Sequence, residues 1–276
     1  MPSVLHAGTD HAEGVAWDPA GWIVYGSESG KISRFNPETE ESQDVGSWDG
    51  FVLGIALDRS GQIYACDMAS SAVIRLDHES GESTIFSAGS PDRAMQTPNF
   101  PAFAPNGVLY VSDSGSWGSN DGLIFSVLTD GTTIIASTEA AGFTNGLALH
   151  PDGTSLYIVE SSIPAVSKLR LREDGILDDY EVVVMLPDSV PDGLAFAADG
   201  TLLISCYRPD RIYRFRLGEL SVLVDDATGM TLNAPTNLCF FGPSLDRLVT
   251  ANLGGWHLTE VETTLVGAQL PRPLLT

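Results

Sequence analysis

Apolar and polar residues alternate along this chain in short runs, and one such run returns six times. Each copy opens on a variable residue, continues through a small apolar stretch of the form x-G-L-A-F, turns, and enters a second strand near a Tyr. The copies begin at Glu13 (EGVAWDPAGWIVY), Leu53 (LGIALDRSGQIY), Asn99 (NFPAFAPNGVLY), Asn145 (NGLALHPDGTSLY), Asp192 (DGLAFAADGTLL) and Thr236 (TNLCFFGPSLDRL). Successive starts are 40 to 47 residues apart. Alternation with period two predicts half-buried strands, whereas a helical repeat of this length would show spacing near 3.6.

In the first five copies a glycine falls eight residues after the opening position, at Gly21, Gly61, Gly107, Gly153 and Gly200. That placement suits the positive φ of a hairpin turn. The sixth copy has Ser244 there. Second strands read WIVYG, QIYAC, VLYVS, SLYIV, LLISC and RLVTA, and third strands KISRF, AVIRL, LIFSV, VSKLR, RIYRF and HLTEV, with a fourth expected before each next copy. Six units of this size use nearly all 276 residues. The pattern therefore predicts an all-β chain, residues 1–276 forming a single six-bladed β-propeller with four antiparallel strands per blade.

Composition narrows the setting. With 43% hydrophobic residues the chain has material for a large core, yet it contains no apolar run long enough to cross a membrane as a helix. The opening MPSVLHAGTDHAEG has neither a basic nor an apolar stretch of the kind that directs secretion, so a cytoplasmic location is expected. A formal net charge of -22 argues against nucleic acid or an anionic membrane surface as a partner. Cys66 and Cys206 occupy equivalent second-strand positions and Cys239 lies in a first strand, so buried free thiols are expected rather than disulfides.

The opening position of each copy carries the candidate chemistry. In a propeller the innermost strands run in the same sense around a central channel, so their starts form a ring at one mouth. That ring reads Glu13, Leu53, Asn99, Asn145, Asp192, Thr236. Two carboxylates and two carboxamides, with no His or Cys, form an oxygen set suited to a hard cation such as Ca2+, which takes six to eight oxygens. Zinc prefers imidazole or thiolate. A ring of strand-start side chains that merely satisfies loop amides is the alternative reading of the same residues.

The segments EGVAW, PNFPAF, NGLALHPDG and PDGLAFAADG resemble the senescence marker protein (regucalcin)/gluconolactonase/luciferin-regenerating enzyme family, and the resemblance covers essentially the whole chain. It implies one divalent cation, Ca2+ foremost with Mg2+, Mn2+ or Zn2+ as alternatives, held by Glu13, Asn99, Asn145 and Asp192. It implies hydrolysis of a small-molecule lactone, with Asp192 as general base. The related diisopropyl fluorophosphatase uses a similar Glu, Asn, Asn, Asp set, so a phosphotriesterase is the neighbouring alternative. This chain departs from regucalcin-like gluconolactonases two residues before the third-copy Asn, where Thr97 replaces their Arg.

Loops joining second to third strands should return to the ring's mouth. They place Ser114–Asp121, Tyr207–Arg211 and Leu253–His257 around it and make Trp117, Arg208 and His257 candidate substrate contacts. Structural roles compete for each: packing for Trp117, an ion pair with Asp210 or Asp188 for Arg208, a satisfied ring for His257. Glu28, Asp67, Asp113 and Glu160 recur three residues after a Tyr in the first four copies and are expected to cap loops. A propeller used purely as an interaction platform remains the reading without chemistry, as does a metal-free condensation of the strictosidine-synthase kind.

Overall fold

The computed structural model describes residues 1–275, and their regular structure is entirely β. Six four-stranded antiparallel sheets surround an axis. Their innermost strands are Ala12–Asp18, Val52–Leu57, Pro98–Phe103, Thr144–Leu149, Val190–Phe196 and Pro235–Phe241. Each inner strand packs against the two that flank it, and the first closes on the last. The expected second and third strands fall where the alternation puts them, four of the third strands (Lys31–Phe35, Ala72–Leu76, Leu123–Val127, His257–Val261) without a shift.

Blade 6 departs from the simple count. Its fourth strand comes from the other end of the chain, Pro2–Ala7 pairing antiparallel with His257–Val261. Residues beyond Val261 run instead across the far end of the channel. Gly267 N–H donates to the Leu245 carbonyl (2.8 Å), Ala268 N–H to Phe196 (2.9 Å), and Arg59 N–H to Pro273 (3.0 Å).

Burial is most complete in the second strands, which is why they are so apolar, and falls towards the outer strands. Ile63–Asp67 and Leu109–Asp113 are buried at every position, whereas the outer Ser42–Ser47 is half solvated. Buried clusters lie between neighbouring blades, as with Tyr64, Cys66, Leu109, Val111 and Phe125, so sheet-on-sheet packing holds the ring together. The five turn glycines have positive φ, from 74° at Gly153 to 102° at Gly21. In blade 6 Gly242 (φ 88°) and Leu245 (φ 52°) share that task, which accounts for the broken spacing at Ser244. All three cysteines are free and buried.

Candidate functional site

Every inner strand carries a β-bulge at its opening position. Register slips between Ala12 and Val15, Val52 and Ile55, Pro98 and Pro101, Thr144 and Leu147, Pro191 and Leu194, and Pro235 and Leu238. A bulge inserts an unpaired residue and re-aims its side chain, so six equivalent bulges produce one polar ring. The residue after each opening position lies close to the adjacent blade. A Cβ at Gly54 would come 2.7 Å from the Asn99 carbonyl oxygen, and one at Gly193 2.7 Å from that of Thr236. Hydroxyls of the second strands take up backbone groups that the bulges release. Phe100 N–H donates to Ser112 Oγ (2.9 Å), Gly193 N–H to Ser205 Oγ (3.1 Å), and Thr250 Oγ1 donates to the Asn237 carbonyl (3.0 Å).

Glu13, Asn99, Asn145 and Asp192 are all buried at this ring, together with Leu53 and Thr236. The bulge brings in a further side chain, Asn237, which stands where four other copies have glycine. Asn237 Nδ2 donates to Glu13 Oε2 and to the Glu13 carbonyl, both at 3.0 Å. Asn145 Nδ2 donates to Ser161 Oγ (3.1 Å), whose own proton goes to the Pro191 carbonyl (2.7 Å). These bonds fix both amide orientations and leave the oxygens free. Asn99 Oδ1, Asn145 Oδ1, Asp192 Oδ1 and Asn237 Oδ1 are buried without a hydrogen-bond partner.

Electrostatics agree with that geometry. Burial, and then the nearby Asp192 charge, push Glu13 well above the ordinary carboxylate range, partly opposed by Asn237. Burial lifts Asp192 to about 7, the Asn145 amide pulling the other way. Three carboxamide oxygens and one oxygen of Asp192 are buried without a donor, beside the second carboxylate Glu13, an arrangement that fits a hard cation. No group of three or more His, Cys, Asp or Glu side chains forms a metal cluster among the described residues, so carboxamides must complete any shell here.

Of the three expected loop contacts only Trp117 lies in a loop, since Arg208 closes the second strand Leu202–Arg208 and His257 opens the third strand His257–Val261. Trp117 is exposed in the loop after the blade 3 second strand, its ring 5.0 Å from Phe143. Arg208 pairs with Asp210 at 2.8 Å and lies over the Tyr207 ring. His257 Nε2 is 2.8 Å from the Thr231 carbonyl. Asp67 accepts from Phe51 N–H (2.8 Å) and Ser70 N–H (2.9 Å), Asp113 from Gln96 N–H (2.6 Å) and Thr97 N–H (2.8 Å), and Glu160 from Gly142 N–H (3.0 Å). These three are loop caps; Glu28 is exposed.

A cavity of about 400 Å³ lies further down the channel, on the far side of the aliphatic layer Val15, Ile55, Pro101, Leu147, Leu194 and Leu238. None of the ring residues lines it.

Comparison with known proteins agrees with the fold. Regucalcin of Xenopus laevis is 23% identical over 235 residues, 79% of this chain and 74% of that protein. Lactonase drp35 of Staphylococcus aureus (strain USA300) is 22% identical over 213 residues, 74% of this chain and 65% of the lactonase. Among solved structures, a gluconolactonase from Xanthomonas campestris superposes with a TM-score of 0.81 at 20% identity, covering 96% of this chain and 89% of its own. A calcium-binding regucalcin from Agrobacterium tumefaciens gives 0.78 at 16%, covering 98% and 97%. At these identities the structural likeness establishes the fold. The model of the SMP-30/Gluconolactonase/LRE-like region matches residues 11–252, and the chain belongs to that family.

Proposed function

We propose that this protein is a divalent-cation-dependent lactonase, with Ca2+ the preferred ion. The observation that carries the reading is the set of four buried, unpartnered oxygens, three from carboxamides and one from Asp192, beside Glu13, with the proton affinity of both carboxylates raised. Glu13, Asn99, Asn145 and Asp192 would hold the cation, with Asn237 steadying Glu13 from beside it. The bound cation would supply polarisation of the ester carbonyl and neutralisation of charge developing on its oxygen.

The chain's own groups do the rest. Asn237 fixes Glu13, and Ser161 keeps the Asn145 carbonyl turned inward, so the donor set is arranged before substrate arrives. Asp192 takes a proton from the attacking water as its oxygen bonds to the acyl carbon. It returns the proton to the ring oxygen as the ester C–O bond breaks. A buried carboxylate is a stronger base than a solvated one, while a neighbouring cation weakens it. The free Oδ1 of Asp192 allows both roles. The product is a hydroxy acid, and its new negative charge disfavours rebinding to a chain of net charge -22.

Thermal melts in chelator and in millimolar Ca2+, Mg2+, Mn2+ or Zn2+, paired with acid release from lactones, test the proposal. A cation at a hundredfold excess over its dissociation constant should add about 2.7 kcal/mol of stability. No shift with any ion, and no hydrolysis with any, would remove it.

A further inference from the structure

Among the described residues three aromatic side chains are solvent-exposed: Trp117 (59%), Tyr207 (36%) and Trp256 (59%). Trp117 and Trp256 lie on loops joining second to third strands and Tyr207 at the end of the second strand Leu202–Arg208, all at the mouth above the oxygen ring. The equivalent loops of blades 2 and 4 expose Met68 (40%) and Ile163 (37%). Five successive blades thus each present one large apolar side chain on a single rim. Scattered exposed apolar residues are ordinary, but recurrence in five successive blades beside one opening is not scatter.

Two of these side chains are braced. Trp117 lies edge-on to Phe143 at 5.0 Å, at the boundary of blades 3 and 4. Trp256 meets His11 at 4.5 Å, at the boundary of blades 6 and 1. In a six-blade ring those boundaries are diametrically opposed, so two aromatic pairs face each other across the mouth.

Several of the rim's polar groups are committed elsewhere. Asp67, Asp113 and Glu160 cap loop amides, Arg208 is paired with Asp210, and His257 approaches the Thr231 carbonyl. Thr97 Oγ1 points its proton towards the Gly115 carbonyl (3.4 Å). A polyhydroxylated ring needs free donors and acceptors at its hydroxyls, because each one desolvated without a partner weakens binding. An alkyl or aryl substituent needs only apolar surface.

Resting on the lactonase reading, we infer that the preferred substrates are lactones with an apolar alkyl or aryl substituent, held against the exposed aromatic side chains of the mouth, rather than sugar lactones. δ-Decalactone and D-glucono-δ-lactone share the six-membered ring and differ in what it carries, a pentyl chain or hydroxyls. With cation saturating, kcat/KM for δ-decalactone should exceed that for gluconolactone by more than tenfold, since each buried methylene is worth roughly fourfold. Combined Trp117→Ser and Trp256→Ser should cut that preference by about tenfold through KM for δ-decalactone, with kcat and the melting temperature retained. Preference for gluconolactone overturns the inference while leaving the lactonase reading intact. So does a double variant of unchanged selectivity, the outcome for a rim that grips a protein instead. Hydrolysis of neither lactone with any divalent ion removes the lactonase reading and this inference with it.

Discussion

The two ends of the central channel are built from the same six strands and share almost no chemistry. At the upper mouth, bulged opening residues bring together Glu13, Asn99, Asn145, Asp192 and Asn237, with four oxygens left unpartnered. Three residues further along come Ala16, Ala56, Ala102, Ala148, Ala195 and Cys239, lining an apolar cavity of about 400 Å³ that the segment Ala268–Arg272 helps to enclose. Between the two lies the aliphatic layer from Val15 to Leu238. Polarity here is assigned by position along a strand, and the bulge is the device that switches it. The apolar floor also matters to the ring, since a low-dielectric neighbour raises carboxylate proton affinity and strengthens every charge interaction above it. The size of a cavity does not locate the chemistry.

The sharpest way to separate the two ends is Asp192→Asn, which keeps an oxygen and the side-chain volume but removes the proton acceptor. Assayed at saturating cation, lactone hydrolysis should fall by about two to four orders of magnitude, the usual contribution of a general base. Glu28→Gln, at an exposed position, should stay within a few-fold of the parent. Near-parental turnover by the Asp192 variant would leave that residue as a ligand alone.

A second test is the stability of the protein in chelator as pH changes. Glu13 and Asp192 have folded-state proton affinities above those of the unfolded chain, Asp192 reaching about 7. Between about pH 4 and that value the native state binds more protons than the unfolded one, so stability should fall as pH rises through the window. Surface carboxylates held low, such as Asp77, act in the opposite direction at lower pH. Asp192→Asn should reduce the slope and leave the part due to the burial of Glu13, and saturating cation should flatten it by occupying the site. Melts at pH 5, 6 and 7 that rise instead of fall would show that the ring is not strained by its own charge.

The smallest expected effect comes from the lower end. Ala102→Val and Ala195→Val add methyl groups on the cavity wall and should raise stability by about 1 kcal/mol each at most. Hydrolysis should stay within about twofold. A tenfold loss would mean that the aliphatic layer transmits strain from floor to ring.

Much of this was legible in the sequence because the repeat is explicit. The fold, the turn glycines and the ring positions Glu13, Asn99, Asn145 and Asp192 follow from counting along six copies. Asn237 did not, for a definite reason. Strand reading assumes that neighbouring residues face opposite sides, and a bulge suspends that rule at the one place where the site is built. Counting put Thr236 in the ring and passed over the residue beside it. The lower cavity was equally hidden. Its alanines stand in the printed repeats, but only the path of residues 262–275 shows that they line an enclosed space.

The pairing of Pro2–Ala7 with His257–Val261 joins segments some 250 residues apart in sequence. That pairing closes blade 6, and the contact between Glu13 and Asn237 crosses the adjoining boundary of blades 6 and 1, with Asp192 one blade further round. The oxygen ring is therefore complete only when the circle is closed, through contacts of the long-range kind that slow folding. A cation bound there would act as a clasp on the circle, its affinity reporting whether the chain's two ends have met.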